Sequence, residues 1–253
     1  MPISSDVNVI FAYVDETDIF HMPVVIFITP YKRKDVYFLL DEVKSSFIYT
    51  YSQYLKDACV FIEKSIIDYK SKRSKLLPKP SPFAINAIIR ENIKKKLEGM
   101  SKKEHFRYDT VNRFTKKMLT EYSTTSLYED SEKLSEFREK YLTKAEKEAD
   151  IQISLFLNKF RNFEVVNFAD VQSFEEWLGK LKKVELNVFK NKRDYEDMKI
   201  AAQYLGYNQE IRTLSFVTCD KEFHDSLDKV SKHFKQPIGK LFLLKPPKKQ
   251  KSP

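Results

Sequence analysis

Near the C-terminus, residues 213–223 read TLSFVTCDKEF. The apolar and β-branched run at 213–218 is typical of a buried strand, and it ends directly before Cys219 and Asp220. Residues 221–234 then have a helical pattern, and LFLL at 241–244 is a candidate edge strand. This end of the chain therefore predicts a strand, an acidic residue at its carboxyl end, a helix and a further strand.

The N-terminal part has the same alternation. Residues 7–14, VNVIFAYV, predict a short strand running into a helix, and residues 24–29, VVIFIT, predict a buried strand. Thr29 suits an N-cap and Pro30 the first position of a helix that continues through Phe47. Because strands and helices alternate at both ends of the chain, the predicted fold class is α/β with a parallel sheet.

The middle of the chain is predicted to be helical. Residues 70–82 carry three prolines and several basic residues and predict a loop, whereas residues 83–160 have a nearly continuous helical pattern. A strand is predicted at 163–168, and a helix at 194–206 that ends at Gly206. We therefore expect residues 1–50 and 160–245 to form one domain, residues 51–159 a helical insertion, and residues 246–253 a basic flexible tail.

Composition narrows the class of protein. The formal net charge of +9 favours contact with a polyanion, although charge alone is weak evidence. The 4 glycines are too few for a fold built on glycine-rich phosphate loops, and the 2 cysteines lack the spacing of a zinc site. With no apolar run of membrane-spanning length and no secretory signal pattern, the expected location is cytoplasmic, away from the membrane.

Acidic residues near the predicted strands are candidates for a metal site. Ligands of open α/β sheets bind at the carboxyl ends of the strands. Carboxylates that converge there repel one another unless a cation lies among them, and oxygen ligands favour Mg²⁺ or Mn²⁺. Such a site suits phosphodiester hydrolysis, whereas a single aspartate is more simply a surface residue or a helix cap. The candidate ligands are Asp6, Asp35, Asp197 and Asp220.

The order and the local sequence of these aspartates resemble the PIN-domain nucleases over residues 1–45 and 160–235. Asp35 departs from the family pattern, which more often has Glu there, and the helical middle is much longer than in compact members. Four segments carry the resemblance: Asp6-Val7-Asn8-Val9, Thr29 through Asp35, Asp197 with the apolar helix that follows it, and Val217-Thr218-Cys219-Asp220.

The resemblance implies a PIN-like central parallel β-sheet flanked by helices, with an α-helical insertion. It also implies a metal-dependent endonuclease, a hydrolase in which the four aspartates hold one or two Mg²⁺ or Mn²⁺ ions. Asn8 and Thr218 would then orient the first carboxylate and support the site, with Thr29 in a further supporting role. RNA is the implied substrate, with single-stranded DNA as a second possibility.

Basic residues flank two of the aspartates and are candidate phosphate contacts. A solubilising charge run explains them equally well. They are Lys32, Arg33 and Lys34 before Asp35, and Lys192 and Arg193 before Asp197.

Two other functions stay open at this point. The chain would be a catalytically inactive PIN-like module for nucleic-acid binding or assembly if one aspartate pointed away from the others. It would be a toxin-type ribonuclease if an antitoxin covered the site. The helical insertion is a further candidate surface for a protein partner or for self-association.

Overall fold

A computed structural model describes most of the chain, namely residues 2–33, 35–73, 81–101, 105–167, 169, 171–184, 186, 188–189, 194–211 and 214–247. The chain divides into two compact units. One unit comprises Met1–Ile48 and Ile151–Pro253, and the other comprises Tyr49–Asp150. The sequence-based boundaries lie at residues 50/51 and 159/160.

The first unit contains a five-stranded sheet in which every neighbouring pair of strands is parallel. The strand order is β3-β2-β1-β4-β5, so β1 is central and the chain builds outward from it in both directions. The predicted α/β class with a parallel sheet is therefore confirmed. The strands are β1 (Ile3–Ser5), β2 (Val36–Leu40), β3 (Asn162–Val166), β4 (Ser215–Thr218) and β5 (Leu241–Leu243).

Helices connect the strands of this unit and cover the sheet. Parallel strands require such crossovers, because each strand must start again at the same edge of the sheet. The helices are α1 (Val7–Val14), α2 (His21–Ile28), the start of α3 (Asp41–Arg73), the end of α8 (Ala145–Leu157), α9 (Phe174–Lys183), α10 (Asp194–Ile211) and α11 (Lys221–His233).

The second unit is helical throughout its described part. On α4, four buried residues spaced four apart (Ile85, Ile89, Ile93 and Leu97) form the face that packs into the core of the unit. Besides the rest of α3 and the start of α8, this unit contains α4 (Pro82–Ser101), α5 (His105–Glu121), α6 (Thr124–Glu129), α7 (Ser131–Arg138) and a π-helical segment at Glu139–Thr143. In the part of the chain that the structure describes, no helix is long and apolar enough to cross a membrane.

Two predicted elements near the N-terminus are wrong. Residues 24–28 of the predicted strand belong to α2, and Thr29 is the C-cap of that helix. The helix predicted from Pro30 to Phe47 is interrupted, because Val36–Leu40 form β2 and α3 starts only at Asp41. The cause is that β2 is covered on both faces, so its residues form a continuous apolar run without the alternation that marks a half-exposed strand.

The first strand also lies earlier than predicted. Residues 7–14 are helical from the start, and β1 comprises the three residues before Asp6. A strand of three residues is too short for a period-2 pattern to appear in the sequence. Its burial is complete, however, because β1 lies between β2 and β4.

Gly206 does not end α10, which continues to Ile211. A Cβ atom added at Gly206 would lie 2.6 Å from Cγ1 of Val171 and 3.0 Å from Oγ of Ser173. The glycine is therefore required by the close approach of α10 to the segment before α9, and its conformational freedom plays no part in ending the helix.

We expect Gly206→Ala to lower the free energy of unfolding by about 1–2 kcal/mol, because overpacking outweighs the gain in helix propensity. Gly179→Ala is the matched control, since nothing lies within 4 Å of a Cβ added there on α9. That variant should raise stability by about 0.5–1 kcal/mol through helix propensity alone. Urea denaturation of both variants measures the difference, and equal shifts of the same sign would contradict the packing role of Gly206.

Candidate functional site

The carboxylate of Asp6 lies buried at the carboxyl end of β1. Its side chain is the N-cap of α1: Oδ1 accepts hydrogen bonds from the backbone N–H groups of Asn8 at 2.5 Å and Val9 at 3.2 Å. The other oxygen, Oδ2, accepts a hydrogen bond from the hydroxyl of Thr218 at the end of β4. Both oxygens of this carboxylate are therefore held by the protein.

Asp220 follows the neighbouring strand β4 and is the N-cap of α11. Its Oδ1 accepts from the backbone N–H groups of Glu222 at 2.7 Å and Phe223 at 3.1 Å. The backbone N–H of Asp220 donates to Oγ1 of Thr218 at 2.8 Å. Thr218 therefore joins the two aspartates, and Oδ2 of Asp220 has no hydrogen-bond partner among the residues that the structure describes.

Several negative charges act on this end of the sheet. Burial raises the pKa of Asp6 to about 6, against the lowering effect of its hydrogen bonds from Thr218, Val9 and Asn8, and the charge of Asp220 raises it further. Burial and the charges of Asp6, Asp18 and Asp220 also raise the pKa of the Cys219 thiol. A cation is the species that this local field favours.

The position of the pair within the sheet matches a ligand site. From β1 the chain builds outward to β2 and β3 on one side and to β4 and β5 on the other. The strand order therefore reverses between β1 and β4, and in open α/β sheets ligands bind beyond the carboxyl ends of the strands at such a switch point. Asp6 and Asp220 follow the two strands on either side of this switch point.

Asp197 lies on the first turns of α10, towards the carboxyl edge of the sheet that also carries Asp6 and Asp220. The helix leads down to the start of β4, so its N-terminal turns lie beyond the carboxyl edge. Further along α10, the side chain of Gln203 forms two hydrogen bonds at this edge. It donates to the backbone oxygen of Val166 at the end of β3 (2.8 Å) and accepts from the backbone N–H of Glu42 (3.1 Å). These contacts fix the position of α10 along the direction of the strands.

Asp35 lies at the opposite edge of the sheet from Asp6, so the structure does not bring the four predicted aspartates together. It directly precedes β2, whereas the register of β1 with β2, extended from the Ile3–Tyr37 pair, sets Asp6 beside Leu40 at the other end of the strand. Five residues of extended chain separate the two levels by about 16 Å. The misassigned strand at 24–29 caused this error, because the aspartate after it appeared to follow a strand end.

The other candidate residues of the segment before β2 also lie away from Asp6 and Asp220. Thr29 is exposed at the end of α2, where its hydroxyl donates to the backbone oxygen of Val25 at 2.6 Å. Lys32 and Arg33 lie in the turn that leads to the amino end of β2, and Nζ of Lys32 donates to the hydroxyl of Tyr13 at 3.2 Å. Neither basic residue lies at the edge that carries Asp6 and Asp220. Lys34, Lys192 and Arg193 lie outside the described residues.

The sequence reading overlooked the acidic residues that do follow β2, namely Asp41 and Glu42. They open α3 at the carboxyl edge, next to the level of Asp6. Glu42 forms an ion pair with Lys199 of α10 at 3.0 Å. The sequence does contain this information, because the acidic pair directly follows the apolar run VYFLL at 36–40. The pair becomes a candidate only when that run is recognised as a strand.

The donor atoms at this edge are of the kind that Mg²⁺ or Mn²⁺ binds. They are carboxylate oxygens, and Mg²⁺ usually binds through one or two protein carboxylates while keeping several waters. In the described part of the chain no three His, Cys, Asp or Glu side chains converge at metal-ligand distance. The fit to a divalent cation therefore rests on the Asp6–Asp220 pair with Thr218 between them.

Comparison with known proteins finds no matching family model, no matching curated protein and no matching solved structure.

We expect Asp6→Asn to remove a pH dependence of stability. Because the pKa of Asp6 is about 6 in the folded chain and 3.8 is its ordinary value, the folded state holds a proton that the unfolded state has lost between these values. The wild type should therefore lose about 3 kcal/mol of unfolding free energy as the pH rises through this window, and keep that loss above pH about 6. Asparagine still caps α1 and carries no charge, so the variant should lack this loss.

Urea denaturation from pH 4 to pH 8 in EDTA measures both proteins without bound metal. If the difference in unfolding free energy between wild type and variant is the same at pH 4 and at pH 8, the titration of Asp6 does not cause the predicted loss of stability.

Proposed function

We propose that the chain is a divalent-metal-dependent endonuclease with a PIN-like fold, acting on RNA. The observation that carries the proposal is the pair of aspartates, Asp6 and Asp220, at the carboxyl ends of the adjacent parallel strands β1 and β4. Keeping two carboxylates together at a switch point costs free energy, and a bound cation offsets that cost.

The arrangement of the strands supports a PIN-like fold. The sheet is parallel, helices connect its strands, and aspartates follow three neighbouring strands: Asp41 after β2, Asp6 after β1 and Asp220 after β4. Asp41 or Glu42 then takes the place that the sequence reading assigned to Asp35. Asp197 lies on the first turns of α10, two residues before Lys199, which pairs with Glu42 at the carboxyl edge.

In this proposal Asp6 and Asp220 would hold the Mg²⁺ or Mn²⁺ ion, and Asp41, which follows the neighbouring strand β2, would support the site. The ion, when bound, would activate water and offset charge on the phosphate. The hydroxyl of Thr218 keeps the Asp6 carboxylate in one orientation. The backbone N–H of Asn8 has the same effect on the other oxygen, while the Asn8 side chain is exposed. Oδ2 of Asp220 accepts no hydrogen bond from a described residue, so it would be the oxygen available to bind the ion.

The choice of RNA rests on the resemblance, supported by the net charge of +9. The phosphate contacts must differ from those expected at Lys32 and Arg33, which lie at the other edge. Lys199 contributes a positive charge at the carboxyl edge through its pairing with Glu42.

A binding module without cleavage is the second candidate, and two observations favour it. Asp35 lies away from the other aspartates, and both oxygens of Asp6 are occupied by hydrogen bonds of structural value at the start of α1. In this alternative Asp6 and Asp220 act as helix caps, and the chain contacts nucleic acid only through its positive charge.

We expect the wild type to cut a labelled single-stranded RNA with Mg²⁺ or Mn²⁺ and to stop in EDTA. Asp220→Asn should lower the cleavage rate by at least about a hundredfold, the scale on which one group that stabilises a transition-state charge acts. Asp41→Asn should also lose activity. Asp35→Asn is the matched control, because it removes the same charge at the opposite edge of the sheet, and it should cut like the wild type.

RNA binding by the Asp220→Asn variant should equal or exceed that of the wild type, because the substitution removes a negative charge. Loss of activity in Asp35→Asn with retention in Asp41→Asn would contradict the assignment made from the structure. Binding without cleavage of RNA or single-stranded DNA by the wild type would instead support the binding module.

A further inference from the structure

Tyr195, on the first turn of α10, presents an aromatic ring next to two lysine side chains. The residue is 43% exposed. Nζ of Lys182, from the last turn of α9, and Nζ of Lys199, one turn further along α10, each lie 5.7 Å from the centroid of this ring. Because both distances are near the outer limit of about 6 Å for cation–π contacts, the lysines lie beside the ring without covering it.

The packing of α9 against α10 brings these residues together. The two helices are antiparallel. Nε1 of Trp177, near the start of α9, donates to Oε1 of Gln209 near the end of α10 at 3.1 Å, whereas Lys182 at the end of α9 lies beside Tyr195 at the start of α10. Tyr195 and Lys182 therefore belong to packed helices, which hold a binding site in place better than loops do.

The ring of Tyr195 lies beyond the carboxyl edge of the sheet, the edge that carries the proposed metal site. Gln203 holds α10 at the level of this edge through its hydrogen bonds to the end of β3 and to Glu42. Tyr195 is eight residues nearer the start of the helix, which is about 12 Å along its axis. Lys199 lies halfway between them and pairs with Glu42 directly after β2, the strand next to β1.

The exposed charge beside the ring is positive. Lys182 and Lys183 are both exposed at the end of α9, and neither forms an ion pair with another described residue. Glu196 and Asp197 do not share the face of Tyr195, because residues one and two apart on a helix do not face each other. An exposed aromatic ring beside unpaired lysines is the combination that binds the bases and phosphates of a single strand.

We propose that Tyr195 and Lys182 form a subsite for single-stranded RNA, in which one unpaired base stacks on the Tyr195 ring and a neighbouring phosphate contacts Nζ of Lys182. The identity of the strand as RNA rests on the proposed nuclease function, and the subsite adds that the substrate is unpaired beside the metal site. A base within a duplex is already stacked and paired, so it cannot lie on this ring. The subsite therefore selects single strands over duplexes.

Fluorescence anisotropy with a labelled single-stranded RNA tests the subsite in EDTA, where metal-dependent cleavage does not take place. Tyr195→Ala should weaken binding at least about fivefold, the lower end of the effect of one stacked base, whereas Tyr195→Phe keeps the ring and should bind like the wild type. Tyr49→Ala is the matched control. Tyr49 is 62% exposed on α3 and no described lysine lies over its ring, so its loss should leave binding unchanged.

Two further measurements separate stacking from charge. An abasic strand of the same length should bind equally to the wild type and to Tyr195→Ala, because it has no base to stack. Lys182→Ala should lower the slope of log affinity against log salt concentration by about 0.7, the contribution of one phosphate contact on a single strand. Tyr195→Phe should leave that slope unchanged.

Equal binding of the single-stranded RNA by the wild type and by Tyr195→Ala overturns the subsite. So does tighter binding of a duplex of the same sequence, an equal loss of affinity for the abasic strand, or a wild type that binds no strand. These results do not depend on cleavage. A chain that binds through Tyr195 without cutting RNA refutes the nuclease and leaves the subsite standing, whereas a wild type that cuts while Tyr195→Ala binds normally refutes the subsite alone.

Discussion

The rest of the first unit depends on one hydrogen bond, which the Thr218 hydroxyl donates to the buried carboxylate of Asp6. It connects the ends of β4 and β1, which are more than 200 residues apart in sequence, at the start of α1. The same hydroxyl accepts the backbone N–H of Asp220 and so sets the start of α11. One threonine side chain therefore aligns two strand ends and two helix starts.

This arrangement has a cost in stability. A carboxylate removed from water and set near a second carboxylate loses part of its ionised form, as the raised pKa of Asp6 indicates. An asparagine or serine would cap α1 without that loss. A carboxyl group at this buried switch point supports the proposed cation site, because capping of α1 alone does not require a charge.

The sequence by itself determined the fold class, the helical middle, the strand at β4 and the pair Asp6 and Asp220, because these depend on local patterns: a buried β-branched run, a helix period, and an acid at a strand end. It misread α2 and β2, since both are short apolar runs buried by contacts that the sequence does not show. Only the tertiary structure decided which acid lies at the carboxyl end of β2. Once Val36–Leu40 are known to form a strand, the residue before the strand lies at one edge of the sheet and the residue after it at the other. The parallel pairing of β1 with β2 places Asp35 at the amino edge of the sheet and Asp41 at the carboxyl edge, where Asp6 lies.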